Sequence, residues 1–259
     1  MPRFCANLSF LFDDVDFPER FARAALAGFT GVEYMFPYAW SPDELARLLR
    51  ENGLVQVLHN LPPGDWAAGE RGIACLPGRE AEFRAGVEQG IEYARALGCA
   101  QLNCLAGLAP AGVPEAELHA TLAANLRHAA RRLAAHGIRL LIEPINSRVD
   151  MPGFFLDTPR KALALIESLG EENLWLQYDV YHAQIMEGDL ARTLERALAR
   201  IAHVQIADNP GRHEPGSGEI NFPYLFGLLD RLGYPGWVGC EYRPRAGSEA
   251  GLGWLAGWR

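Results

Sequence analysis

The sequence has very little lysine and no pattern of paired cysteines. Lys161 is the only lysine of the 259 residues, and it follows Thr158-Pro159 at the predicted start of a helix. Because Schiff-base chemistry needs a lysine that is desolvated in the active site, this position argues against lysine-dependent aldolase chemistry. The five cysteines are odd in number and show no CxxC spacing, which indicates buried reduced thiols rather than disulfides or a zinc site.

Basic runs, a leader and long apolar runs are also lacking. The formal net charge is −8 and no run of Lys or Arg occurs, so we expect no binding to nucleic acid. The segment Met1-Pro2-Arg3-Phe4 does not look like a signal peptide, and no apolar run reaches the length of a membrane span. These features predict a cytoplasmic protein that does not insert into membranes. They leave open whether the chain forms a homo-oligomer.

Strand-like segments alternate with helical patterns along the whole chain. Because alternation of this kind is typical of parallel strands joined by right-handed crossovers, and because eight strands are found, the pattern favours a closed barrel over an open sheet. The length is close to the roughly 250 residues of a (β/α)₈ barrel, so we predict a single TIM barrel over residues 1–259. The predicted strands are Arg3–Leu8, Gly31–Tyr34, Val55–His59, Ala100–Asn103, Ile138–Glu143, Leu174–Asp179, Ile201–Gln205 and Trp237–Glu241.

Several helices have readable ends. Ser41-Pro42 offers an N-cap followed by a proline at the first helical position, and Gly53 is suited to end that helix in the left-handed conformation. No G-x-G-x-x-G motif follows the first strand, so the fingerprint of a dinucleotide-binding fold is missing. The other predicted helices, each followed by a glycine, are Glu80–Leu97, Glu115–His136, Pro159–Leu169 and Phe222–Leu232.

Every predicted strand has a polar residue at or next to its C-terminal end. TIM-barrel enzymes build their sites at the C-terminal ends of the strands, and polar atoms there need a partner such as substrate or metal. We therefore expect substrate contacts from several of these positions, although Glu33 and His59 are equally consistent with a hydrogen-bonded polar layer. The eight residues are Asn7, Glu33, His59, Asn103, Glu143, Asp179, Gln205 and Glu241.

The last four of these strand ends predict a metal site. Glu143, Asp179 and Glu241 would repel one another at the barrel mouth unless a cation lay between them, and no lysine is available to neutralise them. Gln205 would add a fourth oxygen, and an all-oxygen set suits Mg²⁺ or Mn²⁺ better than zinc. The alternative is a hydrogen-bonded layer without metal.

Two residues just beyond these strands are candidates for substrate binding. His182 lies three residues after Asp179, either in the loop or in the first helical turn, and a helix-capping or solvated histidine is the alternative. Arg212 lies in a loop rich in Gly and Pro after Gln205, where its guanidinium could hold a substrate carboxylate or hydroxyl. A plain surface turn is the alternative for Arg212.

In combination, these residues resemble the hydroxypyruvate isomerase family, within the xylose isomerase-like barrels that include ketose 3-epimerases. The resemblance implies a divalent-metal isomerase in which Glu143 and Glu241 are acid/base residues as well as ligands, and Asp179 and Gln205 complete the metal set. It also implies that His182 and Arg212 hold the substrate. The segments that carry it are Ala6-Asn7-Leu8-Ser9, Gly31-Val32-Glu33-Tyr34, Leu141-Ile142-Glu143-Pro144-Ile145-Asn146, Gln177-Tyr178-Asp179-Val180-Tyr181-His182, His203-Val204-Gln205-Ile206-Ala207-Asp208-Asn209-Pro210-Gly211-Arg212, Gly218-Glu219-Ile220-Asn221-Phe222 and Gly239-Cys240-Glu241-Tyr242.

The reaction implied by the resemblance moves a carbonyl between adjacent carbons of a small hydroxy-carbonyl acid, as between hydroxypyruvate and tartronate semialdehyde. Sugar epimerases of the superfamily commonly carry His where this chain has Gln205, which favours the acid substrate. An isomerase of 2-oxo-tetronate and a ketose 3-epimerase remain alternatives. A metal-dependent DNA-repair nuclease would need more His ligands and a basic groove, and a non-catalytic binding protein would not need both Glu143 and Glu241.

Overall fold

The computed structural model describes residues 1–258 as a closed barrel of eight parallel strands, in which each strand pairs with the next and β8 pairs with β1. The predicted fold class, a (β/α)₈ TIM barrel, is confirmed. The prediction of one domain over residues 1–259 includes position 259, which lies outside the described residues. The strands are β1 (Arg3–Asn7), β2 (Gly31–Glu33), β3 (Val55–Asn60), β4 (Gln101–Cys104), β5 (Arg139–Ile142), β6 (Leu174–Asp179), β7 (Ile201–Ile206) and β8 (Trp237–Cys240).

Within residues 1–258, eight α-helices surround the strands, and their ends follow local capping rules. The Ser41 side chain accepts a hydrogen bond from the backbone N–H of Glu44, and Thr158 does the same for Lys161. Gly98 and Gly170 end their helices in the left-handed conformation. The helices are α1 (Phe17–Leu26), α2 (Pro42–Glu51), α3 (Glu80–Leu97), α4 (Glu115–Ala134), α5 (Pro159–Leu169), α6 (Val180–Met186), α7 (Leu190–Ala197) and α8 (Phe222–Arg231), with 3₁₀ turns at Leu198–Arg200 and Ala250–Gly257.

The barrel interior is filled by side chains below the mouth. One buried cluster draws its members only from β1, β3, β5 and β7, which is the alternate-strand layer expected inside a TIM barrel. This packing leaves the C-terminal mouth as the open end of the barrel. The cluster consists of Cys5, Val57, Leu58, Leu141 and Ala202.

The strand ends differ from the predicted ones by small shifts that matter for the site. A register irregularity between Val32 and Glu33 pairs Glu33 with Leu58, and β3 continues to Asn60. Strands β5 and β8 end one residue before Glu143 and Glu241, so these two carboxylates begin the following loops.

The cysteine prediction agrees with the described residues. All five cysteines are buried and free. Within residues 1–258, every helix is too short or too polar to cross a bilayer.

Candidate active site

A polar cavity of about 720 Å³ opens at the C-terminal mouth of the barrel. The strand ends supply its floor, and the loops after β1, β3, β5 and β8 supply its wall. The predicted residues that line it are Asn7, Glu33, Glu143, His182, Gln205, Arg212 and Glu241, and the loop residues include Phe10, Trp66, Arg71, Asp150, Met151 and Arg243. A cavity of this volume with convergent charged groups is a suitable site for a small polar ligand.

Asp179 and His182 are positioned together by the start of α6. Asp179 caps this helix, because its Oδ1 accepts hydrogen bonds from the backbone N–H groups of Tyr181 (2.7 Å) and His182 (3.1 Å). Its other oxygen, Oδ2, is buried without a hydrogen-bond partner among the described residues. His182 Nε2 lies 3.9 Å from that oxygen and 3.8 Å from Glu143 Oε1. The structure therefore brings these three predicted residues into one group, whose ligand atoms lie within 4.8 Å of one another.

Glu143 and Glu241 are held by different partners. Glu143 Oε2 accepts a hydrogen bond from Asn103 Nδ2 at 3.1 Å, whereas Glu241 Oε1 accepts one from Arg212 Nη2 at 2.6 Å. Glu241 Oε2 accepts further hydrogen bonds from Asn7 Nδ2 at 3.0 Å and from Gln205 Nε2. The Glu241 carboxylate is thus fixed on both oxygens, while Glu143 Oε1 is left to face His182.

The three carboxylates resist ionisation together. Burial raises the pKa of Glu143 well above its ordinary value, and the neighbouring charges of Glu241 and Asp179 add to this. Burial likewise raises the pKa of Asp179 to about 6, against the lowering effect of Arg212. For Glu241, burial raises the pKa to about 8, although Arg212 opposes the shift. Buried, crowded carboxylates with an unpartnered oxygen fit a hard divalent cation, which would let all three ionise.

Gln205 lies beside this group but presents its amide nitrogen to it. Gln205 Nε2 donates to Glu33 Oε1 at 2.8 Å and to Glu241, while Gln205 Oε1 accepts a hydrogen bond of 2.6 Å from Gln177 Nε2. A ligand role needs the amide oxygen on the carboxylate side, which requires the two amides to rotate together. Gln177 is able to follow, because its Oε1 has no other partner among the described residues.

Glu33 is a buried anion in the floor of the cavity. Burial favours its neutral form, but His203 and hydrogen bonds from Gln205 and Asn7 outweigh this and lower its pKa. The contacts are 2.6 Å from His203 Nε2 to Glu33 Oε2 and 2.9 Å from Asn7 Nδ2 to Oε1. A Cβ at Gly239 would overlap this carboxylate, so only glycine fits opposite it.

The structure places His59 outside the cavity. Because β3 runs on to Asn60 and neighbouring side chains of a strand point to opposite faces, Leu58 and Asn60 line the cavity instead. Asn60 Oδ1 accepts a hydrogen bond from Asn103 Nδ2 at 3.2 Å. His59 is fully buried with neither ring nitrogen bonded to a described residue, and burial lowers its pKa to about 3.

Arg212 is buried among acids and aromatic rings. Besides its contact with Glu241, its Nη1 lies 3.2 Å from Asp150 Oδ1, and its guanidinium lies over the rings of Phe10 (4.8 Å) and Tyr181 (5.3 Å). Both terminal nitrogens therefore contact carboxylates. The pKa of Arg212 is raised, because the surrounding carboxylates, Glu241 first, outweigh the effect of its burial.

His182 is held as a neutral ring. Its Nδ1 accepts a hydrogen bond of 2.7 Å from Asn146 Nδ2, which leaves the proton on Nε2, the nitrogen that faces Glu143 and Asp179. Burial and the charge of Arg212 lower the pKa of His182 well below its ordinary value.

Several site residues were not predicted from the sequence. Gln177 lies two residues before Asp179 on the same strand face, so strand alternation carried enough information to find it. Asn146, Asp150 and Arg71 lie in loops and reach the site through folding, for which the local sequence carries no signal.

Comparison with known proteins agrees with this architecture. Residues 21–258 match the family described as xylose isomerase-like TIM barrel. The chain is 56% identical over 259 residues to the hydroxypyruvate isomerase of Escherichia coli (strain K12), and the match covers 100% of both chains. The chain belongs to the hydroxypyruvate isomerase family of xylose isomerase-like TIM barrels. The predicted family and the predicted enzyme class, an isomerase, are thereby confirmed.

Other members of the family are nearly as similar. The 2-oxo-tetronate isomerase of Cupriavidus necator is 53% identical over 255 residues, which cover 98% of each chain. A crystal structure described as an AP endonuclease, family 2, from Brucella melitensis superposes with a TM-score of 0.97 at 50% identity and covers 100% of both chains. Family members therefore share the whole fold, while their names differ in substrate.

Proposed function

We propose that this isomerase interconverts hydroxypyruvate and tartronate semialdehyde, and that it depends on a divalent metal. The observation that carries the proposal is the group of three buried carboxylates, Glu143, Asp179 and Glu241, at the mouth of a polar cavity. The full-length similarity to a protein named hydroxypyruvate isomerase supports this choice of substrate.

Glu143, Asp179 and Glu241, with Gln205 after rotation of its amide, are the residues that would hold Mg²⁺ or Mn²⁺. The unpartnered Oδ2 of Asp179 and the raised pKa values of the three carboxyl groups support this assignment. When bound, such a cation stabilises negative charge that develops on substrate oxygens.

Glu143 and Glu241 are the proposed acid/base pair. One carboxylate removes a proton from C3 of hydroxypyruvate, and the resulting enediolate takes up a proton at C2 from the other carboxyl group, which gives tartronate semialdehyde. The hydroxyl proton on O3 passes to O2 in the same conversion, and we assign His182 Nε2 to hydrogen bond the reacting oxygens. No electrons leave or enter the substrate overall, so the reaction needs no redox cofactor.

The remaining predicted contacts have supporting roles in this scheme. Asn103 holds Glu143, and in the floor of the cavity Asn7 Nδ2 donates to both Glu33 and Glu241. Arg212 fixes the Glu241 carboxylate and lines the cavity, from which it can contact a substrate oxygen. His59 has no part in the scheme.

An isomerase of 2-oxo-tetronate is the alternative, because a relative with that name is nearly as similar to this chain. The test is NMR in D₂O of metal-loaded enzyme with hydroxypyruvate, a four-carbon 2-oxo acid and a neutral ketose. We expect deuterium at C2 of the tartronate semialdehyde and a kcat/KM highest for hydroxypyruvate. Preference for the four-carbon acid would establish the alternative, and turnover of the ketose alone would refute an acid substrate.

Nuclease activity is a further outcome to assay, since one structural relative is described as an endonuclease. Among residues 1–258, each cluster with ligand spacing has only one histidine, and the chain carries a net charge of −8. A His-rich zinc cluster and a basic DNA groove are not supported by these features. We expect no cleavage of abasic DNA.

A further inference from the structure

We propose that Arg71, in the loop between β3 and α3, binds the carboxylate of the substrate. This inference rests on the proposed function and names the residue that selects an acid over a neutral sugar. Arg71 is a cation without an acidic partner in the wall of the cavity, and the floor of the same cavity is acidic.

Among residues 1–258, three arginines line the cavity, and they differ in what they contact. The side chain of Arg243 is exposed and has no ion pair or hydrogen bond with a described residue, so nothing holds it in place. The terminal nitrogens of Arg212 contact Glu241 and Asp150, so its charge is already balanced. Arg71 Nη1 donates to the backbone carbonyls of Trp66 (3.1 Å) and Glu70 (2.7 Å). Within residues 1–258, Arg71 makes no ion pair, and its Nε and Nη2 groups have no hydrogen-bond partner. Its charge and these donors are therefore available to a ligand.

The Arg71 guanidinium is held in place before any ligand arrives. It lies 4.1 Å from the centroid of the Trp66 ring, a cation–π contact that limits its motion. The next residue, Gly72, has a φ of +106°, and a Cβ there would overlap the carbonyl group of Leu105. The backbone N–H of Gly72 donates to Pro63 at 2.9 Å. A donor group fixed in this way loses little conformational entropy on binding.

The chemistry of the reaction calls for a separate carboxylate site. Isomerisation changes C2 and C3 of hydroxypyruvate, whereas the C1 carboxylate keeps its charge throughout. Glu143, Asp179 and Glu241 would repel that charge, and they lie at the C-terminal ends of β5, β6 and β8. Arg71 follows β3, in the opposite half of the closed barrel. A planar guanidinium with two free nitrogens is the side chain best suited to bind a carboxylate through two hydrogen bonds.

The test compares binding of D-glycerate and glycerol, which differ in the carboxylate and are not isomerised. Calorimetry with Mn²⁺-loaded enzyme should show Arg71→Met weakening glycerate binding by roughly ten- to a hundredfold, with glycerol binding unchanged. The glycerate affinity of Arg71→Lys should lie between those of wild type and Arg71→Met, because lysine keeps the charge and loses the planar fork. The control is Arg243→Met, which removes an exposed cavity-lining cation without altering Arg71 and should change binding less than about twofold.

Kinetics provide the second readout. In Arg71→Met, KM for hydroxypyruvate should rise by a similar factor while kcat stays within a few-fold of wild type. Equal losses for Arg71→Met and Arg243→Met, or equal losses for glycerate and glycerol, would overturn the assignment. If wild-type enzyme fails to isomerise hydroxypyruvate but Arg71→Met still loses glycerate binding, the proposed function fails and the Arg71 site stands.

Discussion

At the scale of single residues, Glu143 and Glu241 have the same chemistry but different surroundings. Arg212 and Asn7 fix both oxygens of Glu241, while Glu143 keeps one oxygen free of hydrogen bonds from described donors. In the proposed mechanism, the freer Glu143 carboxylate would be the one that removes a proton from carbon in the forward direction. The structure thus offers a basis for unequal roles in the two directions of the reaction.

The variants Glu143→Gln and Glu241→Gln test these roles. Each should lower kcat by about 10²–10⁴-fold with a much smaller change in KM, because a carboxylate that moves a proton acts in the transition state. The measurement is steady-state kinetics at saturating Mn²⁺, with the metal content of each variant determined in parallel. Near-normal turnover by a metal-loaded variant would show that the substituted carboxylate is not an acid/base residue.

His59 predicts a pH dependence of stability that is independent of the cavity. Its pKa is about 3 in the folded chain against an ordinary 6.5, so the unfolded chain binds the proton more tightly. The stabilisation is fully present above pH 6.5 and is lost as the pH falls from 6.5 towards 3. Protonation of His59 in the unfolded chain should therefore lower the free energy of unfolding by about 1 kcal/mol when the pH falls from 7.5 to 5.5.

Urea unfolding of wild type and His59→Leu at these two pH values measures this contribution. The decrease in the free energy of unfolding from pH 7.5 to pH 5.5 should be about 1 kcal/mol smaller in His59→Leu than in wild type, whatever the absolute stability of the variant. Identical pH dependence in the two proteins would mean that His59 is protonated, or bonded to a partner, in the folded chain.

At the scale of structural elements, the conformation of the loop between β3 and α3 depends on the close approach of Gly72 to the carbonyl group of Leu105. Gly72 and Gly69 both have a φ in the left-handed region, +106° and +99°. A Cβ at Gly72 would overlap the Leu105 carbonyl, whereas nothing lies within 4 Å of a Cβ at Gly69. Backbone strain is therefore common to both positions, and the steric overlap is specific to Gly72.

This pair gives a matched comparison of Gly72→Ala with Gly69→Ala. Gly69→Ala should cost about 1 kcal/mol from backbone strain, and Gly72→Ala should cost clearly more, because the loop must move away from Leu105. Gly72→Ala should also raise KM for hydroxypyruvate by displacing Arg71. Urea midpoints and KM values that match between the two variants would contradict the importance of the Leu105 contact.

The sequence predicted the elements well because each strand is a short apolar run between turn signals. It misplaced strand ends by no more than one residue, and the bounds of β6 were predicted without error. The small shifts arise because register depends on pairing with a neighbouring strand. The effect of this error on the site prediction is clearest at β3. The register is irregular between Val32 and Glu33, and β3 extends to Asn60, so His59 lies outside the cavity. The short helices α6 and α7, which follow β6 in succession, had no comparably clear sequence pattern.

At the scale of the whole molecule, the cavity combines strand ends that the sequence reveals with loop residues that it does not. A polar residue that closes an apolar run is readable because the barrel brings all such ends together. The positions of Arg71 and Asp150 depend on how two long loops fold over the mouth. The hydrogen bonds of Arg212 likewise depend on the three-dimensional fold, so its pairing with Glu241 and Asp150 was not readable from sequence.

The proposed mechanism depends most on one divalent cation held by Glu143, Asp179, Gln205 and Glu241. The direct measurement is calorimetric titration of EDTA-treated, dialysed enzyme with Mn²⁺, with hydroxypyruvate isomerisation assayed at each point. We expect one Mn²⁺ per chain, near-zero activity without metal and recovery that follows occupancy, while Asp179→Asn binds at least about tenfold more weakly. Full activity in metal-free enzyme, or Mn²⁺ binding that Asp179→Asn leaves unchanged, would contradict the assignment of this metal site.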